Sequence, residues 1–96
     1  MRDKIIDAIK DRIVLKFRYK GIDRVVEPHA VGVSRTGKDV LRCYQTAGRH
    51  ITDGHSWDLC SLSSIFSLVV TEDVFSGERA GYSRGDKQMQ RIYAEL

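Results

Sequence analysis

Residues 13–19 alternate strictly. Ile13, Leu15, Phe17 and Tyr19 fall on one side, and Val14, Lys16 and Arg18 on the other. Period two predicts a half-buried strand. Lys20-Gly21-Ile22-Asp23 supplies a turn, with Gly21 free to take a positive φ. A second strand is expected over residues 24–33. It must bend at Pro28, because proline has no backbone N–H and is confined to edges and bends. The glycine-containing loop 34–38 then leads into a third strand over 39–45, with Leu41 and Cys43 on one face and Val40, Arg42 and Tyr44 on the other. Residues 46–55 form a long polar connection. Residues 56–59 suit a fourth strand, Leu62 begins a brief turn, and the β-branched run 65–70 suits a last strand.

The two ends of the chain show a different period. Ile5, Ile9 and Arg12–Ile13 lie at helical spacing, with Ile6 and Ala8 widening the stripe, and Asp3 can cap the start of a helix over 3–12. Met89, Ile92, Tyr93 and Leu96 stand at i, i+3, i+4 and i+7, which predicts a second helix over 87–96 with Asp86 as N-cap. Residues 71–86, polar and punctuated by glycine, read as a linker with little regular structure. The expected fold is α+β and mainly β: a small, partly closed barrel with a helix at each end, since closure removes exposed strand edges. Residues 1–75 form the barrel unit with its helix, and residues 76–96 the linker and C-terminal helix, packed on the barrel or on a partner.

Composition narrows the function. The chain is 42% hydrophobic and 30% charged, which excludes a disordered tail, and 96 residues suffice for one core. No apolar run approaches the roughly 18 residues of a membrane span, and the N-terminal residues lack a signal-peptide core. A cytoplasmic location with no membrane partner is expected. Cys43 and Cys60 are too few for a disulfide framework and read as reduced, partly buried residues. Their spacing to His50 and His55 matches no familiar zinc pattern, so no metal or other cofactor is expected. No nucleophile sits beside a base in a known motif, and no glycine-rich phosphate loop is present, which argues against an enzyme.

The net charge is +3, with Arg35, Lys38, Arg42 and Arg49 gathered mid-chain. A basic patch there would suit an anion. Arg24, Arg42 and Arg49 are candidate phosphate ligands, since a guanidinium presents a planar fork of donors. Tyr19, Tyr44 and Trp57 are candidate stacking surfaces for bases. The competing reading leaves Arg24 in a surface pair with Glu27 or Asp23, and puts Tyr19 and Trp57 in the core.

The ordered set Ile5–Ile9, Phe17-Arg18-Tyr19, Arg24-Val25-Val26-Glu27-Pro28, Val40-Leu41-Arg42-Cys43-Tyr44 and Trp57-Asp58-Leu59 resembles a WYL domain. The resemblance covers roughly residues 5–75. The name-giving Trp-Tyr-Leu triplet is replaced by Asp39-Val40-Leu41, and Cys60 and Ser61 stand where the family often has a basic residue. The family is a bacterial sensor module with an Sm/SH3-like barrel, usually fused to a DNA-binding helix-turn-helix for which this chain has no room. The resemblance implies a non-enzymatic regulatory module in transcriptional regulation. Its ligand would be a nucleotide or single-stranded nucleic acid, held by Tyr19, Arg24, His29, Arg42, Tyr44, Arg49 and Trp57. The alternative is an SH3/Sm-like module for protein–protein interaction or oligomerisation. The C-terminal apolar stripe would then be the interface, and a homodimer the expected assembly.

Overall fold

The computed structural model describes residues 1–48 and 56–96. Helix α1 (Arg2–Asp11) is followed by strands β1 (Ile13–Tyr19), β2 (Ile22–Ser34), β3 (Asp39–Gly48) and β4 (Trp57–Ser61). A 3-10 turn (Leu62–Ser64) then leads into β5 (Ile65–Val74), and β6 (Met89–Glu95) comes last. The strands make one antiparallel sheet in the order β4-β3-β2-β1-β5, and β6 pairs with β2. The sheet is not closed, and among the described residues β4, β5 and β6 each pair with a single strand.

Strand β2 organises the molecule. Its first half pairs with β1 from Ile22 to Val26, and its second half pairs with β6 from Ala30 to Ser34, while β3 runs along both halves. Pro28 falls between those two halves, beside a register shift against β3. A proline suits such a bend, where β2 changes partner from β1 to β6. The hairpin before it holds Lys20 and Gly21 at φ 52° and 73°, the two positive values a two-residue turn needs to match strand twist. At Gly32, opposite Ile92, β6 approaches so closely that a Cβ would collide with the Arg91 carbonyl oxygen.

The predicted C-terminal helix is not present, because residues 89–95 form β6 instead. Two register shifts explain the misleading period. One falls between Val33 and Ser34 and one between Val31 and Gly32, opposite Gln90 and Tyr93. Each extra residue moves the apolar phase by one, so a strand acquires helix-like spacing. Met89 and Ile92 consequently pack with Ala30 and Val40, whereas Tyr93, Ala94 and Leu96 pack against the main core. The stripe that suggested a dimer interface thus packs within its own chain, with Met89 buried and Ile92, Tyr93 and Leu96 half-buried.

The main core joins Ile5, Ala8 and Ile9 of α1 to Leu15, Phe17, Val26, Val31, Leu41 and Cys43 of the sheet. Burying each large aliphatic side chain contributes about 1.5–3 kcal/mol. Asp3 lies in the first turn of α1 rather than capping it, and the helix ends on Arg12 in the left-handed region.

Candidate ligand-binding cleft

The bend in β2 buries two polar side chains, Glu27 and His29. What covers them is the segment 75–88, which lies across the sheet; the linker expected over 71–86 makes up most of it. Phe75 stacks on the His29 ring at 5.9 Å, and Tyr82 meets that ring edge-on at 5.0 Å. Trp57 from β4 meets it at 4.7 Å, and Tyr44 from β3 meets Trp57 at 5.2 Å. The Arg79 guanidinium donates to both Glu27 carboxylate oxygens, at 2.7 and 3.0 Å, and lies 4.8 Å over the Tyr44 ring. Such a bidentate pair fixes orientation as well as charge.

Hydrogen bonds determine the state of His29. The Arg79 backbone N–H donates to Nε2 at 3.1 Å, so Nε2 carries no proton. Nδ1–H then donates to the Glu27 carbonyl at 2.9 Å. Burial is the main influence on this ring and pushes its pKa below the ordinary 6.5, against the opposing pull of the Glu27 carbonyl and carboxylate. The His29 carbonyl accepts from the Leu96 N–H at 2.9 Å and from the Tyr82 hydroxyl at 3.3 Å. The covering segment is fastened at further points. Trp57 Nε1–H donates to the Ala80 carbonyl at 3.2 Å, and Arg42 Nε–H donates to the Asp86 carboxylate at 2.8 Å. Burial of Asp86 raises its pKa, but the Arg42 and Gln88 N–H donors outweigh burial and hold it below the usual value.

Between this segment and the β3–β4 face lies a cleft of about 390 Å³, lined among others by Arg42, Trp57, Tyr82, Arg84, Asp86 and Lys87. Trp57 and Tyr82 stack there with 21° between planes and 6.1 Å between centroids. Arg84 is highly exposed and reaches Glu95 at 3.2 Å. The lining combines aromatic faces with three cations and one carboxylate.

Of the residues singled out in the sequence, His29, Tyr44 and Trp57 come together, and Arg42 stands at the cleft. Tyr19 and Arg24 lie on the opposite face of the sheet. Arg24 is only 5% exposed, sits 5.2 Å over the Tyr19 ring and donates to Asp58 at 3.0 Å. Its partner is therefore neither Glu27 nor Asp23. Tyr19 is buried, and its hydroxyl oxygen accepts from the Ser61 N–H at 3.1 Å. Arg24 and Arg42 do not form a common anion site. Arg49, His50 and His55 lie outside the described residues. Cys43 and Cys60 are both buried, and the Cys43 thiol is pushed well up by its hydrogen bond to Cys60 and by burial. Sequence reasoning missed Phe75, Arg79, Tyr82, Arg84, Asp86 and Lys87. The one local signal was an aromatic on either side of a polar, glycine-rich stretch, a composition that leaves little reason for aromatics unless they anchor it.

No protein-family model, curated protein or solved structure matches the chain. Among the described residues, no helix is long and apolar enough to cross a membrane.

Proposed function

We propose that the chain is a WYL-like sensor module that binds a small anionic ligand with a planar ring system, best fitted by a nucleotide. It binds without turnover. One observation carries the reading: Trp57 and Tyr82 present stacked rings inside a cleft whose ionic lining is Arg42, Arg84 and Lys87 against Asp86. A base would stack on the aromatic pair, and the phosphates would lie towards the exposed Arg84 and Lys87. A volume of about 390 Å³ falls in the range of small-ligand clefts, so a mononucleotide fits better than a longer strand. The fold offers further support. A single 3-10 turn carries the chain from edge β4 to β5 beside β1, and the molecule measures 29 × 26 × 25 Å, nearly equal in all directions. Both features suit a sheet curled into an Sm/SH3-like, partly closed barrel. The order of helix and strands through residue 74 is the order the WYL resemblance implies.

Trp57 is the only tryptophan, so its fluorescence reports directly on the cleft. Titration with a nucleoside triphosphate at low salt is expected to quench it saturably. The double variant Arg84→Ala, Lys87→Ala should weaken binding about 10- to 100-fold. A single-stranded oligonucleotide that binds far more tightly, with a steep salt dependence, would shift the reading to nucleic acid. No quenching by either probe at low salt would reject it.

A further inference from the structure

Strand β5 is an edge, and its apolar side chains are bare. Phe66, Val69, Val70 and Val74 are all exposed. Among the described residues, β5 pairs with β1 alone. It is ten residues long and contains neither proline nor lysine, two of the devices that usually protect an edge. The exposed residues are not confined to one face. Val69 pairs with Lys16 and Phe66 with Arg18, both pointing away from the core, whereas Val70 pairs with the buried Leu15. A partner resting on one face of the sheet would cover only part of this set. A partner strand added along the edge covers both faces, because its own side chains alternate in the same way.

Charge identifies the partner. Lys16 and Arg18 flank the first half of β5, and Glu72 and Asp73 occupy its far end. An antiparallel two-fold pairing reverses one strand against the other. It therefore brings Asp73 of a second copy to the face of the first that carries Lys16 and Arg18, while Glu72, its neighbour, points to the other face, and it repeats the contact at the other end. β1 and the second copy's β5 would stand two strand spacings apart, about 10 Å. Arg or Lys and Asp side chains span that distance together. A surface that complements itself under a two-fold is the condition for a closed symmetric dimer. We infer that the chain forms a homodimer through antiparallel β5–β5 pairing, which extends the sheet continuously across two copies.

The test is sedimentation equilibrium of the full chain. A mass of twice 10.9 kDa is expected. Val69→Lys should raise the dimer dissociation constant by roughly 100-fold or more, with the circular-dichroism spectrum of the fold unchanged. Arg18→Glu alone and Asp73→Lys alone should each weaken the dimer about tenfold. The two together should restore it to within about threefold, which a folding defect would not do. A chain that stays monomeric to about 1 mM would overturn the inference. So would a dimer indifferent to Val69→Lys, or a monomer that pairs its β5 only with an unrelated peptide.

Discussion

Glu27 and His29 are 6% and 0% exposed, while Phe66 and Val74 are 63% and 71% exposed. At the bend of β2 the polar residues are inside, and on β5 the apolar residues are outside. The inversion shows that partners, more than polarity, decide burial here. The Glu27 carboxylate and both His29 ring nitrogens meet donors or acceptors from within the chain, and segment 75–88 supplies most of them. Satisfied in that way, a buried polar group costs little; unsatisfied, it would cost about 1–3 kcal/mol. β5 has no comparable cover among the described residues. Within one chain its apolar groups are reached by no element among the described residues.

The strongest way to break the contrast is to remove the cover from β2. Gly32→Val puts side-chain atoms where β6 passes, so β6 should detach and carry segment 75–88 with it. We expect a loss of about 3 kcal/mol or more by chemical denaturation. Hydrogen exchange should quicken in residues 75–96 and leave β5 as it was. A variant with unchanged exchange in that segment would show that the cover does not depend on β6.

A gentler perturbation is pH. The His29 pKa in the folded state lies below the 6.5 of the free ring, so the unfolded chain binds more protons in the interval between the two values. Stability from the neutral ring is thus complete above about pH 6.5 and is lost progressively as pH falls towards the folded-state pKa. By NMR, the His29 ring should still be neutral at a pH where an exposed histidine is half protonated. A titration midpoint at or above 6.5 would contradict the buried neutral tautomer.

The smallest effect belongs to β5. Phe66→Ser, measured at concentrations where the chain is monomeric, should shift stability by no more than about 0.5 kcal/mol, since the ring is already in water. A loss above about 2 kcal/mol would mean that the ring packs within its own chain, and the contrast between the two regions would close.

Local signals made the first five strands legible. The alternation from Ile13 to Tyr19, the glycine turn, the bend at Pro28 and the loop of residues 34–38 all depend on neighbours in sequence. Each is found close to where it was expected, although β3 and β5 run further, to Gly48 and Val74. The C-terminal strand was illegible because its period is reset twice by its partner, and no residue of β6 records where β2 forces a shift. The site was half legible. His29, Arg42, Tyr44 and Trp57 stood out as chemistry on strands, and the strands deliver them to one face. Arg79, Tyr82 and Asp86 act across more than 40 positions of sequence, where neither composition nor period carries information.

The pairing of β2 with β6 also has a consequence during synthesis. Ser34 lies opposite Met89, so the second half of β2 emerges from the ribosome well before the strand that completes it. At about 5–20 residues per second, that interval lasts roughly 3–11 s. Sheet formation is much faster, since hairpins close in about 1–10 μs. The nascent chain therefore carries a temporary further open edge at Val31–Val33, in addition to those of β4 and β5, until residues 89–95 are made. Crowding on polysomes, or a slow codon run late in the message, would lengthen that exposure and favour pairing between neighbouring nascent chains.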